Sequence, residues 1–209
     1  MKPHGWEIVP ERGLSNFEPS PRLSEAFEYA RSLHAGQVRK GTTIPYLAHL
    51  LAVASLVVES GGNEDDAIAA LLHDAIEDQG HDGRTRYEIA RKFGDGVLRV
   101  VEACTDADEV PKPPWRQRKE AYLAHLKTAP IAVRRLVAAD KLHNARAILA
   151  DHRRLGDGLW SRFNAPRQDQ LWYYRGCVTA LRQADTGREI APLVDELDAV
   201  VTTIEEAAS

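Results

Sequence analysis

Apolar residues recur at helical spacing along almost the whole chain, and this pattern limits the fold more than any other feature of the sequence. Strict apolar/polar alternation, which would indicate half-buried strands, does not dominate any region, and no internal repeat is present. The sequence therefore predicts an all-α protein. Its 209 residues suit a single domain with terminal additions. We predict an N-terminal extension over residues 1–20, the helical domain over 21–184, and a C-terminal helix over 185–209 that is packed on the domain or trails it.

Capping residues and glycines predict where the helices begin and end. Ser20 followed by Pro21 is typical of a helix start. Gly61 and Gly62 end a helix that begins near Tyr46, and Asn63 begins the next one, where the following acids complement the helix dipole. The predicted helices cover residues 21–34, 46–60, 63 onward, 85–93, 95–104, 115–129, 131–150, 167–184 and 188–206. Residues 105–114, rich in acids and prolines, are predicted to form a loop.

Composition excludes several classes of protein. No apolar run approaches the roughly 20 residues that a bilayer-spanning helix needs. The N-terminus lacks the apolar stretch of a secretory signal, so we expect a cytoplasmic protein. A net charge of −4 without a basic stripe gives no general attraction to nucleic acid. The expected partner is a small molecule rather than nucleic acid or membrane. The sequence does not predict an oligomeric state.

The third helix combines an apolar start with a highly polar end. Residues 67–72 are apolar on every side, as in a helix buried in the core, and the chain continues into His73, Asp74, Glu77 and Asp78. Burying carboxylates is costly unless they are paired or bind a cation. On a continuous helix His73 and Glu77 share a face, as do Asp74 and Asp78. The alternative interpretation is a solvated last turn beside a hydrogen-bonded core histidine.

Two further polar residues interrupt apolar segments. His49 lies on the otherwise mostly apolar second helix, and Asp140 directly follows the apolar run 136–139. A lone residue of this kind is more often a satisfied core residue than a ligand. Together with His73 and Asp74, however, they make a set of two imidazoles and two carboxylates. Such a set suits manganese, iron or another first-row divalent ion better than a closed structural zinc site.

Five short motifs occur in a characteristic order. They are HAGQVRK at residues 34–40, PYLAH at 45–49, ALLHDAIED at 70–78, FG at 93–94 and ADKLHN at 139–144. Over about residues 26–149 the chain resembles the hydrolase domain of the RelA/SpoT alarmone enzymes and the free-standing small alarmone hydrolases. These form one branch of the HD-domain metal phosphohydrolases. The resemblance implies an HD-domain helical bundle with a metal site in a central cleft.

The resemblance also implies roles for individual residues. The metal ligands would be His49, His73, Asp74 and Asp140, and the acidic pair Glu77 and Asp78 would assist hydrolysis. In those enzymes Mn²⁺ serves to remove the 3′-pyrophosphate of guanosine tetra- or pentaphosphate. A divalent ion lowers the pKa of a bound water, so that no covalent protein nucleophile is needed. Other divalent first-row metals are compatible with the same ligands.

A strongly anionic substrate requires cations near the acidic cluster. Arg39 and Lys40, in the loop before the His49 helix, are predicted to contact phosphate, and Asn144 offers a donor and an acceptor to a ribose or base. Solvated surface for the two cations and a local hydrogen bond for Asn144 are the alternatives. Weaker candidates for phosphate contact are Arg116, Arg118 and Lys119.

Two departures from the family pattern bear on the substrate. Leu50 follows the first ligand histidine, where family members usually have proline, and residues 40–45 differ from the commoner Ser-Gly-Glu form of this loop. We expect metal binding to be unaffected, whereas the loop change lies beside the predicted phosphate contacts. The leading hypothesis is hydrolysis of a guanosine polyphosphate. Alternatives are hydrolysis of an adenosine polyphosphate, the 2′-phosphate of NADPH or a dNTP, or a catalytically silent nucleotide sensor.

Overall fold

The computed structural model describes residues 17–80, 83–106, 111–185 and 187–208. Across these residues the chain forms α-helices, one 3-10 helix and no strand, which confirms the predicted all-α class. The α-helices are α1 Pro21–Leu33, α2 Leu47–Glu59, α3 Glu64–Leu72, α4 Ala75–Gln79, α5 Arg84–Phe93, α6 Asp95–Cys104, α7 Trp115–Leu126, α8 Ile131–Leu155, α9 Arg167–Ala184 and α10 Ala191–Ala207. The 3-10 helix is Gly156–Arg162. Most of the predicted N-terminal extension, residues 1–16, lies outside the described residues.

Helices α3 and α8 form the centre of the bundle. Residues 67–72 of α3 and 136–139 of α8 are buried throughout. Helix α2 packs on both, α1 packs on α3, and α6 closes the other side of the pair. Helices α9 and α10 cover the remaining surface of α8. No helix among the described residues has both the length and the apolar character that crossing a bilayer requires.

The beginning of α3 is fixed by a reciprocal cap. Asn63 Oδ1 accepts from the Asp66 amide at 3.0 Å, and Asp66 Oδ2 accepts from the Asn63 amide at 3.1 Å. The same Asp66 carboxylate lies 3.2 Å from Arg135 Nη1 on α8. Arg135 Nε also donates to the carbonyl of Ser60 at 3.2 Å. These bonds set the position of α3 against α8 and α2, and therefore the position of the residues at its far end.

The third helix is not continuous. Helix α3 ends at Leu72 and α4 begins at Ala75, and Asp74 has φ −96° and ψ −1°. The His73 imidazole bonds through Nδ1 to the carbonyl of Ala70 at 2.8 Å, the acceptor that the Asp74 amide uses in a regular α-helix. The helix is therefore interrupted where the prediction treated it as continuous, although His73 and Glu77 still line the same small cavity. Asp78 does keep a helical bond from its amide to the Asp74 carbonyl at 2.9 Å.

The C-terminal half departs from the predicted boundaries at three places, the first being α7, which ends at Leu126 rather than at residue 129. Helix α8 continues past residue 150 to Leu155, where Gly156, with φ 58°, ends it and leads into the 3-10 helix. Helix α10 begins at Ala191 rather than near residue 188. It packs on α8 and α9 through a row of buried apolar side chains: Leu193, Val194, Leu197, Val201 and Ile204.

Candidate metal centre

Three helical elements bring the four predicted ligands together at the centre of the bundle. His49 comes from α2, His73 and Asp74 from the break between α3 and α4, and Asp140 from α8. The ligand-type atoms of His49, His73 and Asp140 all lie within 4.8 Å of one another. Asp74 Oδ2 lies 3.1 Å from His73 Nε2 and 3.7 Å from His49 Nε2. The two imidazoles and Asp140 are buried, whereas Asp74 is partly exposed.

The orientation of the two imidazoles fits a metal. Because a carbonyl only accepts, His73 Nδ1 carries the proton in its bond to Ala70, which leaves Nε2 as the nitrogen with a free lone pair. That Nε2 is buried and makes no hydrogen bond of acceptable geometry, although Asp74 lies nearby. His49 Nε2 lies 3.2 Å from Asp140 Oδ1. A buried nitrogen that makes no hydrogen bond and lies between carboxylates is what a bound cation would satisfy.

Neighbouring polar groups hold both carboxylates. Asp140 Oδ1 accepts from Asn144 Nδ2 at 2.6 Å, and its Oδ2 accepts from Lys141 Nζ at 2.7 Å. Asp74 Oδ2 accepts from the hydroxyl of Tyr46. The aspartate oxygens are therefore oriented from outside the cluster, as the ligands of metal centres commonly are.

The electrostatics of the cluster are dominated by burial and by mutual attraction. Burial opposes charge on Asp74 and Asp140, but His73 holds the pKa of Asp74 well below its usual range, and Lys141 does the same for Asp140. Against the effect of burial, Asp74 raises the pKa of His73 well above its usual value. Burial lowers the pKa of His49. A divalent cation binding here would displace the proton that the carboxylates favour on His73.

The two predicted catalytic acids occupy different surroundings. Glu77 lines a cavity of about 50 Å³ together with His73, Asp74 and Asp140, and its Oε1 lies 2.9 Å from Lys112 Nζ. Asp78 Oδ2 instead accepts from the side chain of Gln37 at 2.7 Å. Burial, followed by repulsion from Asp74, raises the pKa of Asp78. Of the two, Glu77 opens into the metal centre.

A second cavity, of about 270 Å³, contains all three residues predicted to bind substrate. Arg39 Nη2 donates to Asn144 Oδ1 at 2.8 Å, and Lys40 Nζ donates to Asn164 Oδ1 at 2.9 Å. The cavity borders the metal centre, since Asn144 and Tyr46 line it and also bond to Asp140 and Asp74. Its remaining lining residues are Thr42, Ala147, Ile148, Asp151, Leu159, Arg162, Phe163 and Tyr174.

The weaker candidates for phosphate contact are largely committed to other partners. Arg118 and Lys119 both bind Asp106, and Lys119 Nζ does so at 2.7 Å. Arg116 pairs with Glu120 and lies over the ring of Trp172. Only Lys119 also lines the small cavity beside Glu77.

Sequence reasoning missed three residues that contact the predicted site, and for His143 it left a cleft role and a structural role open. Tyr46, Lys141 and His143 flank the ligands within the motifs, so their position in the chain was an available signal. His143 Nδ1 lies 2.8 Å from His49 Nδ1. Burial, followed by the proximity of His49, lowers the pKa of His143 to about 4. Lys112, the partner of Glu77, comes from the predicted loop and carried no such signal.

Comparisons with known proteins give a family match and named relatives. A family model described as HD domain matches residues 26–170. The chain is 37% identical over 127 residues to guanosine-3′,5′-bis(diphosphate) 3′-pyrophosphohydrolase MESH1 of Xenopus tropicalis, which covers 59% of the chain and 68% of MESH1. It is 32% identical over 133 residues to the bifunctional (p)ppGpp synthase/hydrolase SpoT of Escherichia coli K12, which covers 61% of the chain but 18% of SpoT.

A solved structure has the same fold. The metazoan orthologue of SpoT, described as hydrolysing ppGpp, superimposes with a TM-score of 0.69. The alignment covers 89% of the chain and 97% of the orthologue at 24% sequence identity. At that identity the likeness concerns the fold. The aligned region includes most of the described helical bundle.

Proposed function

The chain belongs to the HD-domain family, and from that premise we propose that it is a metal-dependent hydrolase that removes the 3′-pyrophosphate from guanosine polyphosphates. One observation carries the proposal. The buried Nε2 of His73, which makes no hydrogen bond, lies among His49, Asp74 and Asp140, and Glu77 opens into the same cavity. Relatives named for this activity, MESH1 among them, support the choice of substrate.

In the proposed mechanism His49, His73, Asp74 and Asp140 hold the metal. When bound, it lowers the pKa of water and stabilises charge on a phosphoryl oxygen. We propose Mn²⁺, because the mixed nitrogen and oxygen ligands suit a first-row divalent ion. Hydrogen bonds orient three of the ligand side chains: those of Asp74, His73 and Asp140. Their partners are Tyr46, Ala70, Asn144 and Lys141.

Glu77 is the group placed to accept a proton from the attacking water. Its carboxylate lines the small cavity, and the ion pair with Lys112 orients it there. Asp78, bonded to Gln37, lies one residue further along α4 and anchors the turn. We therefore assign Asp78 a positioning role and Glu77 the proton transfer.

The nucleoside part of the substrate occupies the larger cavity. Arg39 and Lys40 supply positive charge at its border, which offsets repulsion between the acidic cluster and the phosphates. Asn144 bonds both to Arg39 and to the ligand Asp140, so it connects the nucleoside cavity to the metal centre.

The decisive experiment is a substrate panel. Protein stripped with a chelator is incubated with and without Mn²⁺ against ppGpp, pppGpp, ppApp, NADPH and dGTP, and the products are resolved. We expect metal-dependent release of pyrophosphate from the guanosine polyphosphates. Preferential turnover of NADPH or dGTP, or tight binding of ppGpp without turnover, would contradict the proposal.

Two substitutions separate metal binding from catalysis. Asp74→Asn should lose both metal and activity. Glu77→Gln should keep most of the metal but lower kcat by about 10²- to 10⁴-fold, the usual contribution of a general base. Metal content by elemental analysis and steady-state kinetics measure the two effects. Glu120→Gln, an exposed acid on α7, serves as the matched control. An unchanged kcat in Glu77→Gln would show that the assignment of Glu77 is wrong.

A further inference from the structure

A carboxylate lines the cavity in which we propose that a polyanionic nucleotide binds. Asp151 Oδ2 lies 2.8 Å from Arg162 Nη1, and the side chains are 24% and 20% exposed. Asp151 Oδ1 also accepts from Arg154 Nη2 at 2.8 Å. An ionised carboxylate only accepts hydrogen bonds. The part of the ligand nearest Asp151 is therefore one that donates hydrogen bonds.

The position of Asp151 on α8 shows which part of a nucleotide this is. Asp140, Asn144, Ile148 and Asp151 are four, four and three residues apart, so they follow one face of the helix. At the helical rise of 1.5 Å per residue, Asp151 lies about 16 Å along the axis from the metal ligand Asp140. A phosphate ester at the metal centre thus directs its sugar toward Asn144 and its base toward Asp151.

The walls around Asp151 suit a flat base. Side chains of Ile148, Leu159, Phe163 and Tyr174 line the cavity and offer apolar and aromatic surface. Apolar walls with a small number of placed polar groups are typical of small-molecule sites. Asp151 and Arg162 are the polar groups that α8 and the 3-10 helix contribute to this part of the cavity.

The Asp151–Arg162 pair is held in place by its surroundings. Gly41, with φ 72°, lies against the Arg162 side chain, and a Cβ there would meet Arg162 Cδ at 2.7 Å. The loop that carries Arg39 therefore approaches Arg162 closely because residue 41 has no side chain. Lys40 adds a bond from the same loop to Asn164. The ion pair is therefore a packed part of the cavity wall rather than a mobile surface contact.

We propose that Asp151 and Arg162 select guanine, an inference that rests on the proposed binding of a nucleotide in this cavity. The edge of guanine presents O6 as an acceptor followed by N1–H and N2–H₂ as donors. Arg162 can donate to O6 while Asp151 accepts from N1–H and N2–H₂. In the same order, adenine presents a donor, an acceptor and a carbon-bound hydrogen. Arg162 would then face a donor and Asp151 an acceptor, so neither residue could form its hydrogen bond. A buried polar group left unpaired by the wrong ligand is an effective basis for discrimination.

The test compares bases that differ at this edge. Values of kcat/KM are measured for ppGpp, ppApp and the inosine analogue, which lacks the 2-amino group. The wild type should prefer guanosine over inosine, and inosine over adenosine. In Asp151→Asn, kcat/KM for ppGpp should fall about tenfold to hundredfold, the range for hydrogen bonds to a charged group, while that for ppApp should change little. Asp157→Asn, an acid 71% exposed outside the cavity, is the matched control.

Two further measurements separate base selection from a structural role. If Asp151→Asn lowers kcat/KM equally for guanosine and adenosine substrates, or if the wild type shows no preference, the inference is wrong. Arg162→Lys keeps the charge but not the planar fork, and it should reduce the guanosine preference without lowering the melting temperature. If the wild type hydrolyses no nucleotide, the proposed function is wrong, but the inference about base selection can still be tested by binding. Titration with GDP, IDP and ADP then decides the inference, because only a guanine preference that Asp151→Asn abolishes would support it.

Discussion

A single hydrogen bond joins the imidazoles of His49 and His143, and it sets the tautomer of a proposed metal ligand. The two Nδ1 atoms lie 2.8 Å apart, so one of them carries the proton and the other accepts it. For His49 to offer Nε2 toward Asp140 and the metal, its own Nδ1 must be the donor. His143 must then be neutral at Nδ1, in agreement with its lowered pKa. We therefore propose that His143 orients a ligand.

Loss of this acceptor should weaken metal binding. In His143→Leu we expect the dissociation constant for Mn²⁺ to rise by about 10- to 100-fold, the usual effect of removing a residue that supports a ligand. His143→Gln, whose carbonyl can accept from the same Nδ1–H, should recover part of the affinity. Competition with a chelating dye measures both variants, and His125→Leu on the exposed side of α7 is the control. Equal affinities in wild type and His143→Leu would rule out this role.

At the scale of the element, α3 determines where the metal centre lies. The cap at Asn63 and the ion pair between Asp66 and Arg135 fix its first turn. Its buried residues 67–72 then carry the chain through the core to His73. Because the helix is short, a displacement of its first turn would also displace the proposed ligands at its end.

Removing the cap should destabilise the whole domain. Asn63→Ala is expected to lower the free energy of unfolding by about 1 kcal/mol, the typical cost of an N-cap lost to alanine. Asn63→Asp, which retains a side-chain acceptor, should restore most of that loss. Urea denaturation followed by circular dichroism measures the change in midpoint. If Asn63→Ala and Asn63→Asp shift the midpoint equally, the side-chain bond is not the cause.

At the scale of the molecule, the proposed metal joins segments that are distant in sequence. Its ligands come from α2, the α3–α4 break and α8, so one ion contacts the three elements that meet at the core. The unfolded chain cannot present this arrangement. Metal binding and folding are therefore coupled.

Chelation should lower the melting temperature reversibly. At a metal concentration 100-fold above the dissociation constant the expected stabilisation is about 2.7 kcal/mol. For a domain of this size that corresponds to about 5–10 °C. Differential scanning fluorimetry with chelator, and with Mn²⁺ added back, measures the shift. Asp74→Asn should show almost none. A shift of the same size in Asp74→Asn would place the stabilising metal elsewhere.

Much of the fold is determined by the sequence alone, because short-range interactions control the starts and ends of the helices. Ser20, Asn63 and Gly61 act within a turn of their own position, and the predicted starts of α1, α2 and α3 lie within a residue of those observed. Apolar runs that end in His73 or Asp140 predicted polar groups in the core, and the structure brings them together.

The tertiary structure alone decided the features that depend on packing between distant segments. The break at His73 and Asp74 follows from how α3 meets its neighbours and from a side-chain bond that periodicity does not encode. The partner of Glu77 is Lys112, 35 residues away. The contact of Arg162 with Gly41 likewise joins a loop and the 3-10 helix, which are remote from each other in the chain. Contacts between residues so far apart in the chain depend on the free energy of the packed bundle as a whole, so no local sequence pattern predicts them.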